Sequence, residues 1–421
     1  MQQHNPGLPP AAAAVGTVRV GKAPRDPRID VFRGIALVMI FINHVPGNPY
    51  EYLTIRNLGF ADAAEAFFLM SGIAAGLAYT PRFIEKDRMS HGLWRAIAPL
   101  WKRAWSLYVV QIALSAVALG IFAAAFQITT QAEFLTKINM RQVFQNPTQA
   151  LIGIPLLTHQ FGYVNILPAY SVLLVCAPAA IMLGLRRPRL LLALSLTLWL
   201  VTGIYRLNLP NYPNPGGWFF NPFAWQAIFI CGLLVGLSQR QGYRFFPQSR
   251  ALFWLSVTVL LGILAWKYVP GLGQFLNLQM HHLREAGVPF NLTSHDKTYL
   301  SAPRFIHILA LGYFLSQLPT VTRMAAHRMA SPFRLIGQHG LLIFASGTVL
   351  ALFCQTLMLA KPEAVWMVWV LPVLGTGALL GIAWIAEASR RVLSAPPTAA
   401  ERQPALTGTG FEKPLTVQSK L

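Results

Sequence analysis

The residues best suited to chemistry lie in two neighbouring apolar segments near the start of the chain. Arg33 and His44 bracket the first segment, and Asp62 and Glu65 open the second. At about 100° per residue, the step from Arg33 to His44 falls within about 20° of whole helical turns, so both share one face, roughly 16 Å apart. Asp62 and Glu65 also share a face. His44, Asp62 and Glu65 are general acid–base groups, and Arg33 is a permanent cation. Ionisable groups at membrane depth are costly, so together the four residues predict a functional site.

Helices that cross a membrane must position these residues. Hydrophobic residues make up 54% of the 421-residue chain and charged residues only 11%, whereas soluble domains carry about 25% charged residues. The sequence therefore predicts an all-α polytopic integral membrane protein, a single bundle of about ten transmembrane helices. The predicted spans are 31–46, 62–80, 96–126, 162–185, 190–206, 223–239, 251–269, 302–319, 335–358 and 364–388.

The charge distribution predicts the orientation of this bundle. The net charge of +20 comes mostly from basic residues in the tails and in alternate short loops, which is typical of a membrane protein and argues against nucleic-acid binding. Because positively charged loops stay in the cytoplasm, both termini are predicted to be cytoplasmic. His44, Asp62 and Glu65 then fall at the extracytoplasmic end, beside the larger outer loops.

The two ends of the chain differ in composition from its apolar middle. Residues 1–27 are predicted to form a disordered basic cytoplasmic tail, and residues 391–421, rich in Pro, Thr and Ala, a second disordered tail. The membrane domain is predicted at 28–390.

Several sequence blocks resemble a known family. RGIALVMIFINH, from Arg33 to His44, has the arginine–histidine spacing of the acyltransferase-three type of membrane acyltransferase, and FFLMSG is similar to that superfamily's second-helix motif. The blocks that resemble one branch of it are RDPRIDVFRGIALVMIFINHVPGN, NLGFADAAEAFFLMSG, NPFAWQ, DKTYLSAPRFIHILAL and GQHGLLIFASG. Taken in this order, they resemble the osmoregulated periplasmic glucan succinyltransferase (OpgC) family. One departure is Ala61, where the family more often has serine, at a position expected to serve packing.

This resemblance implies a bacterial inner-membrane protein that transfers succinyl groups to glucose hydroxyls of a periplasmic glucan. It implies an acyl-CoA donor, succinyl-CoA or another acyl-CoA, on the cytoplasmic side, and no other cofactor. No metal is predicted, because His281, His282, His295 and Asp296 fit no standard ligand spacing. The expected partners are these two substrates and the lipid bilayer. The sequence leaves open whether the protein forms a homo-oligomer.

For such a transfer, a base must accept the hydroxyl proton and a donor must stabilise the oxyanion. His44 is the predicted base, because imidazole exchanges protons near neutral pH. Asp62 or Glu65 is expected to fix its tautomer, as the acid of a catalytic triad does. The alternatives are structural: His44 caps its helix, and an acid at a helix start is stabilised by the dipole by about 0.3–1 kcal/mol.

Arg33, Asp30 and His339 are predicted to line the donor site at the cytoplasmic end. A guanidinium binds phosphate in a bidentate fork, which suits Arg33 to the CoA moiety. The alternatives are an interfacial ion pair between Arg33 and Asp30 that anchors the helix, and a capping or packing role for His339.

Arg304, His307 and Lys297 lead into the eighth span from outside. Arg304 and His307 can face one cavity, and Arg304 is predicted to pair with the succinyl carboxylate. Lys297 and His307, with Trp225 and Gln226 of the NPFAWQ block, are predicted to contact the acyl group or the acceptor. The alternatives are a snorkelling arginine and an interfacial aromatic belt.

Two other functions compete with this interpretation. One is the same chemistry with another acyl group or another extracytoplasmic polysaccharide. The other is a proton-coupled transporter, in which the intramembrane acids and histidine form a proton relay. Transporters tend to contain internal repeats, and the sequence shows none, which favours the transferase.

Overall fold

The computed structural model describes residues 26–84 and 92–394, and in these ranges the chain is helical. The helices are α1 (Pro27–His44), α2 (Ile55–Leu58), α3 (Ala63–Phe83), α4 (Leu93–Thr129), α5 (Arg141–Gln145), α6 (Pro147–Gly153), α7 (Ile166–Arg186), α8 (Pro188–Tyr205), α9 (Pro222–Arg240), α10 (Arg250–Tyr268), α11 (Leu272–Glu285), α12 (Ala302–Gln317), α13 (Pro319–Ala326), α14 (Ser331–Gln338), α15 (Gly340–Ala360) and α16 (Met367–Ser394). Short 3-10 helices lie at Pro49–Leu53, Ala132–Leu135, Lys137–Asn139 and Arg328–Ala330.

Long apolar helices dominate the described chain. Eight of its helices are long and apolar enough to cross a membrane, and α12 with α13, bent by 79° at their junction, makes a ninth. α1 also has 18 residues, but it includes Arg28, Asp30 and Arg33. With α1 counted, each of the ten predicted spans coincides with a helix, so the predicted polytopic all-α fold is confirmed.

The contacts of α1 define two ends of the bundle. Near the start of α1, Asp30 accepts a hydrogen bond from Gln338 at 3.5 Å. His339, which follows Gln338 in the sequence, contacts Glu387 of α16. We call this the tail end, because the first and last described helices begin and finish there. At the opposite end lie His44 and the segment 45–62 that joins α1 to α3, which we call the connector. This is the connector end.

Glycines allow α3 to pack on α9 backbone against backbone. A Cβ atom at Gly72, Gly76, Gly232 or Gly236 would lie 2.1–2.5 Å from a backbone oxygen of the other helix. Small residues four apart are how membrane helices approach this closely. The contact fixes the position of α3, whose first turn follows Asp62.

The predicted tails at 1–27 and 391–421 lie mostly outside the described residues. α1 begins at Pro27 and α16 runs to Ser394. The boundaries of the membrane domain at 28–390, and the character of both tails, stay predictions.

Candidate functional site

Asp62 and Glu65 form a capping box at the start of α3. Asp62 is the N-cap residue, and its Oδ1 accepts a hydrogen bond from the Ala64 amide at 2.8 Å. Glu65 Oε2 accepts one from the Asp62 amide at 2.9 Å. The pair thereby satisfies backbone donors that a helix start leaves without partners, which is the structural role that their spacing allowed.

The same two carboxylates bind two cations, one from the loop before α12 and one from the first turn of α12. Arg304 donates from Nε to Glu65 Oε1 at 2.6 Å and from Nη2 to Asp62 Oδ2 at 3.3 Å. Lys297 Nζ lies 2.5 Å from that Asp62 oxygen. We call these four residues the charged cluster. The Glu65 side chain is 0% exposed and that of Arg304 is 12% exposed, and the balance of two acids and two bases lowers the cost of burying them.

The charged cluster keeps donors that a ligand can use. Arg304 Nη1 has no hydrogen-bond partner among the described residues. Together with the Lys297 ammonium, it can bind a carboxylate or an oxyanion. His295 lies in the same region, and burial together with the Arg304 charge lowers the pKa of His295.

His44 is the last residue of α1, at the connector end. Its carbonyl oxygen accepts a hydrogen bond from Gln355 at 2.7 Å, which fixes the backbone independently of the ring. The ring makes an edge contact with Tyr163, with 4.8 Å between the centroids. His44 Nδ1 is buried and has no hydrogen-bond partner within the described ranges. Because buried polar atoms are usually hydrogen-bonded, this nitrogen is available to bind a ligand.

The charged cluster lies beside His44 without bonding to it. The charges of Lys297 and Asp62 both act on the His44 ring. Among the described contacts, however, neither Asp62 nor Glu65 hydrogen-bonds His44, so neither takes the expected place of an orienting acid in this structure. The physical reason is that a guanidinium and an ammonium satisfy a buried carboxylate better than a neutral imidazole does.

His307 holds the connector. Its Nδ1 accepts a hydrogen bond from the Ala61 amide at 3.0 Å. The ring also lies against Gly59, where a Cβ atom would be 2.5 Å from His307 Cε1. Ala61 itself is 0% exposed, in agreement with the packing role expected of it. These contacts make His307 a positioning residue for the backbone that leads into Asp62.

Trp225 and Gln226 are engaged by protein groups. Trp225 is 0% exposed, and its indole N–H donates to the Lys297 carbonyl at 3.0 Å. Gln226 accepts a hydrogen bond from the Ser195 hydroxyl at 2.6 Å and donates to the Ser195 carbonyl at 2.8 Å. The Trp225 ring is packed inside the protein, and the Lys297 carbonyl provides the acceptor that a buried indole N–H needs. This hydrogen bond holds the backbone at Lys297. The aromatic ring at the surface is that of Phe219, 5.7 Å from Lys297 Nζ and 44% exposed.

Asp30, Arg33 and His339, the predicted donor-side residues, come together at the tail end. Arg33 Nη1 lies 3.7 Å from Asp30 Oδ1 and donates to the Gly337 carbonyl at 3.3 Å. His339 Nε2 lies 3.3 Å from Glu387 Oε2. A cavity of about 540 Å³ adjoins them, lined by Ser331, Arg334, Leu335, Gln338, Trp384, Glu387, Ala388 and Arg391.

The face of α1 between Arg33 and His44 is packed. Leu37 and Phe41 are 3% and 1% exposed. A Cβ atom at Gly375 would lie 2.1 Å from the Phe41 ring, so this glycine makes the room that the ring occupies. Joining the two ends along this face therefore requires Phe41 to move.

Three residues of the site were missed in the sequence. Lys267, at the end of α10, donates to three carbonyl oxygens of the connector, and Tyr163 and Gln355 contact His44. Each lies far along the chain from the residues it touches, in a stretch without a motif. Periodicity and spacing report only on neighbours in sequence, so no sequence signal indicated them.

Comparison with known proteins gives one match. A family model described as OpgC protein matches residues 25–391 of the chain. Searches among curated proteins and among solved structures found no match.

Proposed function

Because the chain belongs to the OpgC family, we propose that it transfers a succinyl group from succinyl-CoA to hydroxyls of a periplasmic glucan. Family membership implies a transferase activity, and the apolar helices make the chain a multi-pass membrane protein. The observation that carries the finer proposal is the buried, unpartnered ring nitrogen of His44 beside a cluster that contains two cations.

In the proposed reaction, His44 accepts the proton of a sugar hydroxyl while that oxygen attacks the thioester carbonyl. The carbon–sulfur bond then breaks, the sugar ester forms, and His44 returns the proton to the departing CoA thiolate. Arg304 and Lys297 supply positive charge for the developing oxyanion or for the succinyl carboxylate. The proposed reaction uses acyl-CoA as a co-substrate, and none of its steps requires a metal.

The orientation follows from the basic residues. We place the tail end in the cytoplasm and the connector end towards the periplasm of a bacterial inner membrane. Arg33, Asp30 and His339 then belong to the donor side, and Arg334 and Arg391 in the adjoining cavity offer charge for CoA phosphates. The donor arm must pass Phe41 to reach His44.

The acceptor side is formed by the outer loops. Phe219 is exposed beside Lys297 and offers an aromatic face on which a sugar ring can stack. His307 and Trp225 act here as positioning residues, because one holds the connector and the other holds the Lys297 backbone.

The deciding experiment is thiol release from succinyl-CoA by the purified full chain in nanodiscs, with and without a β-glucan. We expect release that depends on the glucan, together with a succinylated glucan product detected by mass spectrometry. Glucan-dependent release with acetyl-CoA but not with succinyl-CoA would assign another acyl group. No release with any acyl-CoA, from a folded sample, would reject the transferase and favour proton-coupled transport, which a proton-flux assay in proteoliposomes would then measure.

Lys267→Met is expected to slow this reaction about tenfold, equivalent to about 1.4 kcal/mol in the barrier, without unfolding the protein. Lys267 Nζ donates to the carbonyl oxygens of Arg56, Asn57 and Gly59 at 2.7, 3.2 and 3.3 Å. Methionine keeps a side chain close in shape to the alkyl part of lysine but lacks the ammonium that makes these charge-assisted bonds, so the connector that positions Asp62 loosens.

The matched control is Lys137→Met, which removes a lysine from an exposed ion pair with Glu133. We expect this variant to keep the wild-type rate, since exposed pairs contribute little. The measurement is the glucan-dependent rate of thiol release alongside the thermal unfolding midpoint. Equal rates in the Lys267 and Lys137 variants would remove the positioning role of Lys267.

A further inference from the structure

An apolar cleft of about 480 Å³ separates α10 and α12 from α1, α3 and α9. No residue assigned above to the proposed reaction lines it. Its walls include Leu69, Ile73, Val235, Val259 and Leu309. A cavity with such walls in a membrane protein is filled by hydrocarbon more readily than by water.

The cleft has the depth of one membrane leaflet. α12 lines it from Ile306 to Gln317, and the eleven helical steps between these residues rise about 16 Å. The hydrocarbon core of a bilayer is about 30 Å thick, so one leaflet contributes about 15 Å. The cleft therefore extends from the tail end towards the connector end, where Ile55 of the connector lines it close to Arg304.

The mouth of the cleft at the tail end is polar and basic. Arg28, Gln239, Arg244 and Gln317 lie there. Arg28 is paired with Asp26 at 2.7 Å, whereas Arg244 is exposed. A guanidinium is the side chain best suited to bind phosphate oxygens.

We propose that this cleft is a phospholipid site: one acyl chain fills it, and the phosphate binds at Arg244. The lipid comes from the leaflet at the tail end, which is the cytoplasmic leaflet in the proposed orientation. Because the lipid acyl chain lies between α12 and α3, it sets the distance between the two helices that carry Arg304 and Glu65.

The chemistry of the walls favours a hydrocarbon chain over the arm of a CoA donor. That arm contains amide groups, and burying an amide without a hydrogen-bond partner is unfavourable. The one hydroxyl in the wall of α10, that of Ser256, donates within its own helix to the Leu252 carbonyl at 2.8 Å. A hydrocarbon chain is buried without any such requirement.

Native mass spectrometry of the full chain, released from phosphatidylglycerol nanodiscs, tests the proposal. Val259→Trp fills the cleft, and Leu261→Trp is its control, since Leu261 lies on the same helix, is 61% exposed and does not line the cleft. We expect the wild type and Leu261→Trp to retain one phospholipid and Val259→Trp to lose it. Arg244→Gln is expected to lower the lipid-bound fraction about tenfold, the loss of one charge-assisted contact.

Two results would overturn the proposal. One is equal lipid retention in the wild type, Val259→Trp and Arg244→Gln; should Val259→Trp not fold, the exposed Arg244 variant decides alone. The other is displacement of the bound lipid by succinyl-CoA, which would assign the cleft to the donor arm. Because the readout is bound lipid and not transfer, failure of the proposed transferase activity leaves this inference standing, and the reverse also holds.

Discussion

His44→Ala is expected to lower glucan-dependent thiol release by about 10²–10⁴-fold, the usual contribution of a general base, while the protein stays folded. The backbone carbonyl of His44, which Gln355 holds at 2.7 Å, is kept in the variant. The His44 ring makes an edge contact with Tyr163 and has no hydrogen bond to the described residues. The fold therefore loses little and the reaction loses its base. Thiol release and the thermal unfolding midpoint, measured on one nanodisc sample, separate the two effects.

His281→Ala is the matched control for this variant. His281 lies at the surface, with its side chain 64% exposed, and its ring is 3.5 Å from Glu285. We expect it to retain the wild-type rate. Turnover by His44→Ala at the wild-type rate would remove His44 as the base. A loss of equal size in His281→Ala would show that the effect is not specific to the site.

Substitutions of Arg304 and Glu65 are expected to have strongly non-additive effects on the free energy of unfolding. Arg304→Gln removes the guanidinium that lies 2.6 Å from Glu65, whose side chain is 0% exposed. Leaving one charge of a buried pair without its partner costs about 3–5 kcal/mol. Adding Glu65→Gln removes the second charge, so the double variant is expected to recover about 1–3 kcal/mol relative to the additive sum. Unfolding of the four proteins of this cycle in one detergent measures the coupling.

Activity is expected to behave differently from stability in the same cycle. The double variant regains stability but lacks the Arg304 charge, so it should remain inactive towards succinyl-CoA. Lys137→Gln and Glu133→Gln form the control cycle, because that pair is exposed and should couple by less than about 1 kcal/mol. Full activity in the stable double variant would limit Arg304 to a structural role. Equal losses with acetyl-CoA and succinyl-CoA in Arg304→Gln would rule out recognition of the succinyl carboxylate.

The helices were largely predictable because a membrane span is a continuous run of apolar residues in the sequence. Each of the ten predicted spans coincides with a helix, and the resemblance to the OpgC family is confirmed by the match over residues 25–391. A run of apolar residues long enough to cross a bilayer must be helical, since no water is present to satisfy its backbone. Asp62 and Glu65 were likewise predicted at a helix start, and in the structure they form a capping box there.

The membrane class, the helix positions, the family and the helix start at Asp62 could be predicted from the sequence, because each depends on residues close together in the chain. The partners that those residues take depend on the tertiary structure. In the structure, the Asp62 and Glu65 carboxylates bind Arg304 and Lys297 and not His44. Trp225 is buried against the Lys297 backbone, and Lys267 binds the connector. Such contacts join residues far apart in the chain, and the burial of charge selects them: a carboxylate removed from water must be met by whichever cation the packed helices bring within reach.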